Sequence, residues 1–471
     1  MIVALIRRFT WQRPNGCYAI ILFCLMLPNL CKAQLLDTFH PWEFGPVQLF
    51  TTDPTPSAFV VLFSGESGIE QDDTDAVTTL TNAGAAVALI DTREALRRLN
   101  NINEKSGECT NIFFPVDGVS QSAQQTLKVS RYLEPILLGR GVGGTLAYVV
   151  LAQSQPLAFS QGLSVDFTAT LPLKIHLCGL DSDFVDNQTQ QLKPTYPLFK
   201  PWRIAVTKGA DAAQKQFAIA SGVTQHVSTA LLAPPAPLSV LYLAAVQSDT
   251  SVLSDNTQDL PLVEVSNASE RDTLIIIWSG DGGWRDIDRT LGDLFAKQKY
   301  AVLGVDTLRY FWSYRGPDDV AQDLARMIRH YSEDWHVQHV ALVGYSFGAD
   351  VLPFLYTRLP TELQHNVALI SLLAPLRAAD FEIHMSGWLG AEPTRTALPV
   401  APEVAKIPPA MIQCIYGTEE ADGSLCTEDN NARFQRLGLS GGHHFDEDYD
   451  KLARVITDAI ESRRQKNAAK K

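Results

Sequence analysis

The sequence contains an internal repeat, and this repeat constrains the fold more than any other feature. The segment FVVLFSGESGIEQDDTDAVTTLTNAGAAVALIDT in the first half corresponds to LIIIWSGDGGWRDIDRTLGDLFAKQKYAVLGVDT in the second. Ser64 and Asp91 match Ser279 and Asp306 at one constant offset along the chain. Each copy has the pattern of a strand, a Gly-rich turn, a helix and a second strand, which predicts a mostly parallel sheet flanked by helices.

A second pair of matching segments lies further along each half. PILLGRGVGGTLAYVVLA around Gly139 corresponds to HVALVGYSFGADVLPFLYT around Gly344, and both predict a strand, a sharp turn and a helix. A chain of 471 residues is long enough for two domains of roughly 200 residues each. We therefore predict two tandem α/β domains.

The composition along the chain suggests where these domains begin and end. Residues 1–33 are predicted to be a signal peptide, because a basic region is followed by the apolar run YAIILFCLML and then by small residues. We assign residues 34–250 to the N-terminal domain, the polar segment 251–269 to a linker, and residues 270–471 to the C-terminal domain. The leader predicts export from the cytoplasm.

The charge balance limits the kinds of partner. The formal net charge is -13, whereas proteins that bind nucleic acid without sequence preference need surplus Lys and Arg to displace counterions from phosphate. Nucleic acid is therefore not expected as a partner. A neutral or cationic ligand is easier to accommodate.

The cysteines indicate disulfides rather than a metal site. Three of the seven lie in the leader, and an even number remains in a chain expected to reach an oxidising compartment. Cys414 and Cys426 are close in sequence and are the preferred pair. Cys109 and Cys178 either form a second disulfide or remain buried thiols. Because the His and Cys residues lack zinc-ligand spacing, no metal is expected.

The second half carries the pattern of a nucleophile elbow in VALVGYSFGA. An apolar strand runs into Gly344-x-Ser346-x-Gly348, in which the serine occupies a strained strand-to-helix turn. Glycine is needed on both sides because the strand and the helix approach too closely for a Cβ atom. We predict Ser346 as a nucleophile and the Phe347 backbone N–H as one donor to an oxyanion.

Candidate partners of the serine follow in the order acid, then histidine. The loop GTEEADGSLC supplies Glu420 and Asp422, and the loop SGGHHF supplies His443. His443 is the predicted base, since its glycines let the loop approach Ser346. Glu420 has the commoner spacing from the preceding strand and Asp422 the more usual side chain; we favour Asp422 marginally.

A second oxyanion donor is expected from the early turn SGDGGW. Asp281 and Gly282 are its predicted contributors, because the glycines allow backbone N–H groups to face the site. A phosphate-binding interpretation is poor, since the segment lacks the Lys and Ser/Thr of a P-loop.

The first half lacks this chemistry. The position of Ser346 is taken by Gly141, and no Gly-Gly-His loop follows, so His226 is interpreted as structural. GRGVGG does not follow the first strand of its unit, as a dinucleotide-binding fingerprint requires. We therefore predict two tandem α/β-hydrolase-like domains, of which the first is degenerate and non-catalytic.

These motifs resemble those of the VirJ/AcvB virulence-protein family. WSGDGGW, VGYSFGADVLPF, CIYGTEE...LC and GGHHFD carry the resemblance, and the duplicated first half is similar to the long, AcvB-type members. The resemblance implies a bacterial periplasmic protein with an α/β-hydrolase fold, no cofactor, and hydrolysis of lysyl-phosphatidylglycerol to lysine and phosphatidylglycerol. It also implies that Ser346 is the catalytic serine and His443 its histidine.

A lysyl substrate is cationic, so carboxylates are expected near the pocket. Asp350, one turn into the helix after the elbow, or the pair Glu419 and Glu420 is predicted to receive an ammonium group. The implied partner is an aminoacylated phospholipid at a membrane surface. Two alternatives stay open: a non-enzymatic periplasmic factor that assists a virulence-related type IV secretion apparatus, with secretion-system proteins as partners, and a general carboxylesterase of dienelactone-hydrolase type.

Overall fold

The computed structural model describes most of the chain. The described residues are 33–102, 105, 108–194, 198–205, 214, 216, 217, 220, 237–247, 257, 259–268, 270–383, 396–428 and 433–468. Residues 1–32, which make up nearly all of the predicted signal peptide and include its three cysteines, lie outside them, as does His226. Within the described residues, no helix is both long enough and apolar enough to span a membrane.

The N-terminal half folds around one large sheet. Its strands are β1 (Gln34–Phe39), β2 (Val47–Thr51), β3 (Ala58–Phe63), β4 (Ala85–Ile90), β5 (Ile136–Arg140), β6 (Gln161–Val165), β7 (Thr170–Leu171), β8 (Ser182–Phe184), β9 (Gln190–Leu192) and β10 (Trp202–Ala205). Its helices are α1 (Gln71–Asn82), α2 (Thr92–Leu99), α3 (Phe113–Leu127), α4 (Val142–Gln153) and α5 (Leu238–Gln247). In the described residues the large sheet has the order β1-β2-β4-β3-β5-β6-β10, and β7, β9 and β8 form a small separate sheet.

The C-terminal half has the same architecture. Its strands are β11 (Leu262–Asn267), β12 (Thr273–Trp278), β13 (Ala301–Val305), β14 (His339–Tyr345), β15 (Val367–Leu373), β16 (Ala378–Ala379), β17 (Leu398–Pro399), β18 (Ile412–Gly417) and β19 (Gln435–Leu439). Its α-helices are α6 (Asp286–Lys297), α7 (Thr307–Tyr310), α8 (Pro317–Asp334), α9 (Phe347–Thr357), α10 (Thr361–Gln364), α11 (Ala401–Val404) and α12 (Tyr449–Ala468). Four 3-10 helices span Pro409–Met411, Thr418–Gly423, Leu425–Thr427 and Phe445–Glu447 among the described residues. The main sheet has the order β11-β13-β12-β14-β15-β18-β19, and β16 pairs with β17.

The two sheets share their topology as well as their sequence pattern. In each, an antiparallel strand borders a run of parallel strands in corresponding order. This strand is β11 at the edge of the second sheet and β2 in the first sheet, where β1 pairs outside it. The predicted fold class, mostly parallel sheets flanked by helices, is confirmed.

The central strands are apolar along their whole length because helices cover both faces of the sheet. Every residue of β12 is buried. Leu274, Ile276 and Trp278 belong to the core on one face, whereas Ile275 and Ile277 belong to the core on the other. This alternation is the two-residue period of a strand, which sends successive side chains to opposite faces.

The predicted linker carries part of the second sheet. Within the segment 251–269, β11 forms an antiparallel ladder with β13. The polar composition of this segment is that of an edge strand, whose residues in β11 are half-buried or exposed. The C-terminal sheet therefore begins earlier than the sequence suggested.

The two halves contact each other through aromatic side chains. Trp312 of the C-terminal half donates a hydrogen bond from Nε1 to the Val129 carbonyl, at 3.1 Å, and is nearly buried. Its ring lies edge-on to Tyr132 of the N-terminal half, with 5.0 Å between ring centroids. Tyr132 is thereby part of the core of the C-terminal half.

The four cysteines of the described residues form two disulfides. Cys414 is bonded to Cys426, which is the preferred pair from the sequence, and Cys109 is bonded to Cys178. The first bridge joins β18 to the 3-10 helix Leu425–Thr427, and so closes the loop that contains the candidate acids.

The contact between the halves predicts a loss of stability in Trp312→Ala. Removing a buried Trp leaves a cavity and an unpaired Val129 carbonyl, so the free energy of unfolding of the purified protein should fall by about 3–5 kcal/mol. Guanidinium denaturation followed by circular dichroism measures this change. Tyr314→Ala is the matched control, since Tyr314 is 64% exposed two residues away. Equal denaturation midpoints for the two variants would contradict the interface.

Candidate active site

The predicted site residues meet at one edge of the C-terminal sheet. Ser346 follows β14, and the turn Gly280–Gly283 follows β12. The acid loop follows β18, and His443 follows β19. Because these strands are parallel, their carboxyl ends all open onto the same crevice, where ligands usually bind in open α/β sheets.

Ser346 lies in a strained turn. Its φ is 51° and its ψ is -118°, in the left-handed region that favours glycine. The Ser346 N–H donates to the Leu373 carbonyl at 2.8 Å, and α9 begins at the next residue. The turn therefore separates the serine hydroxyl from the backbone on either side.

The flanking glycines allow this turn to form. A Cβ atom on Gly344 would collide with the backbone of Gly348, and one on Gly348 would collide with the carbonyl groups of Trp278 and Ser279. The strand, the following helix and the neighbouring strand β12 are thus packed backbone against backbone, as the sequence pattern predicts.

A chain of hydrogen bonds joins serine, histidine and acid. His443 Nε2 lies 2.8 Å from Ser346 Oγ, and His443 Nδ1 lies 2.9 Å from Glu420 Oε2. Since a carboxylate only accepts hydrogen bonds, Nδ1 carries the proton and Nε2 is free to accept from the serine hydroxyl. This geometry can transfer the proton of Ser346 to His443 while Glu420 stabilises the imidazolium.

The acid in contact with His443 is Glu420, and the marginal preference for Asp422 is corrected. Asp422 is exposed in the same 3-10 helix, Thr418–Gly423, and its carbonyl accepts a hydrogen bond from Arg377 Nη2 at 2.7 Å. The acid loop is fixed to the histidine loop near its start, where the Glu419 N–H donates to the Gly441 carbonyl at 3.1 Å. The first part of the 3-10 helix therefore faces the imidazole, and the longer Glu side chain spans the remaining gap.

The early Gly-rich turn has the position expected of an oxyanion loop. Asp281 and Gly282 line the same cavity as Ser346 and Phe347. The Gly283 N–H donates to the Gly280 carbonyl at 3.1 Å, which closes the turn. The Phe347 N–H belongs to the first turn of α9, where backbone donors have no partner within the helix and attract negative charge.

The Gly-rich turn is also stabilised by the side chain of Asp306. Asp306 Oδ2 accepts from the Trp284 N–H at 3.2 Å and from Arg309 Nη1 at 2.6 Å. The side chain of Arg309 is only 9% exposed and reaches the N-terminal half, where it lies 4.0 Å from Asp117 and 4.8 Å from the centre of the Tyr132 ring. Burial raises the pKa of Asp117, although the positive charge of Arg309 acts in the opposite direction.

The cavity in front of Ser346 is large and strongly acidic. Its volume is about 1120 Å³. The carboxylates that line it are Asp281, Asp286, Asp288, Asp350, Asp380, Glu382, Glu419, Glu420 and Asp422, and the cationic side chain among the lining residues is Arg285. Such a lining favours a positively charged ligand.

Asp350 and Glu419, which were both predicted as candidates to bind an ammonium group, have different surroundings. Asp350 is buried, its Oδ1 accepts from the Leu376 N–H at 2.6 Å, and burial raises its pKa well above its usual range. It therefore anchors the loop after β15 in addition to lining the cavity. Glu419 lines the cavity and is exposed.

In the described part of the chain, no group of three His, Cys, Asp or Glu side chains is arranged to hold a metal ion.

The N-terminal half retains the elbow without the hydroxyl. Gly141 has φ 54° and ψ -128°, close to the angles of Ser346. Gly143 packs against the Ser64 carbonyl as Gly348 packs against β12. The backbone turn is thus the same in both halves, although the first has no nucleophile at this position.

One residue that lines the cavity, Asp288, was not predicted from the sequence motifs. It is buried beside Gly280, whose N–H approaches its Oδ2 at 3.4 Å. The signal that could have identified it is its match to Asp73 at the same offset that relates Ser64 to Ser279.

The hydrogen-bond chain predicts how fast a fluorophosphonate labels Ser346. Glu420→Gln should slow labelling by about 10²- to 10⁴-fold, because the imidazole loses the carboxylate that orients and stabilises it. Asp422→Asn removes an equal charge from the same 3-10 helix and should change the rate less than about threefold. Labelling is followed by mass spectrometry of the intact protein. A slower reaction in Asp422→Asn than in Glu420→Gln would reverse the assignment of the acid.

Comparison with solved structures finds esterases and lipases. An esterase of Pyrococcus furiosus, Pf2001, is 14% identical, with a TM-score of 0.33, over 45% of this chain and 91% of that one. A hormone-sensitive lipase from a metagenome library is 14% identical, with a TM-score of 0.31, over 48% of this chain and 84% of that one. A lipase-esterase related protein from Clostridium acetobutylicum is 15% identical, with a TM-score of 0.32, over 42% of this chain and 98% of that one. Among curated proteins, no match to the chain is found.

Comparison with protein families finds a match in the second half of the chain. Residues 272–464 match the family described as bacterial virulence protein (VirJ). This range covers the parallel strands of the second sheet, the elbow and the histidine loop. The match confirms, over the C-terminal half of the chain, the resemblance to this family that the sequence motifs predicted.

Proposed function

We propose that the C-terminal domain is a serine esterase that hydrolyses lysyl-phosphatidylglycerol to lysine and phosphatidylglycerol. The observation that carries this proposal is the chain Ser346–His443–Glu420, with contacts of 2.8 and 2.9 Å, at the wall of an acidic cavity. The match of residues 272–464 to the bacterial virulence protein (VirJ) family supports a hydrolytic or virulence-related role.

The first half-reaction would transfer the lysyl group to the enzyme. Ser346 Oγ attacks the carbonyl carbon of the lysyl ester while its proton passes to His443 Nε2. The negative charge on the carbonyl oxygen is stabilised by the Phe347 N–H and by the Gly-rich turn. The bond between the acyl carbon and the glycerol oxygen then breaks, and His443 returns the proton to that oxygen, which releases phosphatidylglycerol.

The second half-reaction would regenerate the serine. His443 accepts a proton from a water molecule whose oxygen attacks the lysyl-serine ester, and the protonated imidazole then gives the proton to Ser346 Oγ as the ester bond breaks. Lysine leaves as the product. Glu420 holds the imidazole in the same tautomer throughout, because its carboxylate accepts from Nδ1 in both steps.

The charge of the cavity supports a cationic acyl group. Nine carboxyl side chains line it, whereas the one lining guanidinium belongs to Arg285, among the residues that the structure describes. The lysyl end of the lipid carries two ammonium groups and would be drawn in, while the anionic phosphate would remain at the mouth.

We also propose a periplasmic location, which rests on the predicted signal peptide. The disulfides Cys109–Cys178 and Cys414–Cys426 support it, since disulfides persist in oxidising compartments. The substrate in that location would be an aminoacylated phospholipid at the membrane surface.

Lipid hydrolysis by the protein from residue 34 onward tests the proposal. Incubation with vesicles of lysyl-phosphatidylglycerol should release lysine and phosphatidylglycerol, measured by lipid chromatography and mass spectrometry. Ser346→Ala should lower the rate by roughly 10⁶-fold, as removal of the nucleophile does in serine proteases. Ser440→Ala is the control, because Ser440 is exposed and lies in the loop before His443.

Three results would contradict the proposal in different ways. Equal rates for Ser346→Ala and the unaltered protein would remove the serine mechanism. Faster hydrolysis of neutral esters than of lysyl esters would favour a general carboxylesterase of dienelactone-hydrolase type. Full complementation of a deletion strain by Ser346→Ala would favour a non-enzymatic factor that assists a secretion apparatus.

A further inference from the structure

Asp288 is a buried carboxylate in the wall of the active-site cavity. It lies in the first turn of α6 and is 2% exposed. Its Oδ2 accepts a long hydrogen bond from the Gly280 N–H, at 3.4 Å. Its Oδ1 has no hydrogen-bond partner among the described residues. Because an unpaired buried carboxyl group destabilises a fold, its presence calls for a partner that arrives from the cavity.

The N-terminal half shows which partner this position accepts. Asp73, the counterpart of Asp288, is completely buried and forms two hydrogen bonds of 3.0 Å with the guanidinium group of Arg140. Arg140 also contacts Glu70 at 2.6 Å. The buried carboxylate beside the degenerate elbow is therefore paired with a cation of the chain itself.

In the C-terminal half the carboxylate remains but the cation is replaced. The position of Arg140 is occupied by Tyr345, whose ring packs over Gly280 as Arg140 packs over Gly65. The position of Glu70 is occupied by Arg285, whose guanidinium group lies against the ring of Phe114 in the other half, 5.8 Å from its centre.

The position of Asp288 suits the far end of a lysyl group. A Cβ atom added to Gly280 would lie 3.8 Å from the Cβ of Ser346, and the Gly280 N–H approaches Asp288 Oδ2 at 3.4 Å, so Gly280 lies next to both the nucleophile and this carboxyl group. A lysyl side chain extends four methylene groups beyond its Cα and can pass one residue. The ring of Tyr345 beside the carboxyl group offers an additional favourable surface to a cation.

We propose that Asp288 binds the side-chain ammonium of the lysyl substrate, in the place that Arg140 takes in the N-terminal half. This inference rests on the proposed esterase function and identifies the residue that would select its acyl group. Burial raises the pKa of Asp288 well above its usual range, and an incoming ammonium would favour its charged form and so lower that pKa. Asp350, predicted for this role, is instead bonded to the Leu376 N–H.

Two soluble esters isolate the interaction. Lysine methyl ester and norleucine methyl ester differ only in the terminal ammonium, so the ratio of their kcat/KM values measures its recognition. The protein from residue 34 onward should prefer the lysine ester. Asp288→Asn should lower this ratio by about 10- to 100-fold, since a charge-assisted hydrogen bond is lost. Asp293→Asn, an exposed carboxylate on the same helix, is the matched control and should keep the ratio.

Tyr345→Arg provides a second and independent variant. It gives the C-terminal half the residue that pairs with Asp73 in the N-terminal half, so its guanidinium group should occupy the subsite and lower the ratio as Asp288→Asn does. Labelling of Ser346 by a fluorophosphonate and thermal unfolding show whether each variant is folded.

The outcomes separate this inference from the proposed function. If the unaltered protein prefers the lysine ester and both variants retain that preference, Asp288 does not bind the ammonium, although the esterase assignment stands. If one variant fails to fold, the ratio measured on the other decides. If the unaltered protein hydrolyses neither ester nor lysyl-phosphatidylglycerol, the proposed function fails and the inference fails with it.

Discussion

The close packing of one strand end against the following helix determines where chemistry can occur in this protein. Both halves bend the chain through the same turn, at Gly141 and at Ser346. Glycine adopts these angles without strain, whereas a serine there costs about 1–3 kcal/mol. The turn persists in the half that has no hydroxyl, so it is a requirement of the fold. Among the two halves, the second places a serine hydroxyl in this turn, and strain of this kind is typical of functional positions.

The partners of that serine depend on loops that stabilise one another. A Cβ atom on Gly417 would collide with the backbone of Gly441 and Gly442, so the strand before the acid loop lies directly against the histidine loop. The Glu419 N–H bonds to the same loop, and the Cys414–Cys426 disulfide closes the other end of the acid loop. Glu420 and His443 are therefore held by backbone packing and a covalent bond, which keeps a catalytic geometry preorganised.

Local patterns in the sequence predicted the two sheets, the elbow and the preferred disulfide, because each depends on residues close together in the chain. The choice between Glu420 and Asp422 could not be made in this way, since it depends on how one 3-10 helix packs against a distant loop. Asp350 was predicted only as a ligand-binding residue, because the sequence does not show that the Leu376 N–H donates a hydrogen bond to it. Asp288 was missed for a related reason: its significance emerges only when its surroundings are compared with those of its counterpart in the other half.

The degenerate half contributes to the site in two physical ways. Its Asp117 and Tyr132 contact Arg309, which is hydrogen-bonded to Asp306. Asp306 also accepts a hydrogen bond from the Trp284 N–H, at the end of the Gly-rich turn. Its Phe114 attracts the guanidinium group of Arg285, the cation that the repeat places next to the acidic cavity. The first contact stabilises the backbone of the Gly-rich turn, and the second brings the first half next to a side chain that lines the acidic cavity. A duplicated domain without a hydroxyl in its elbow can thus contribute to the candidate site, because it supplies buried contacts that the second half lacks.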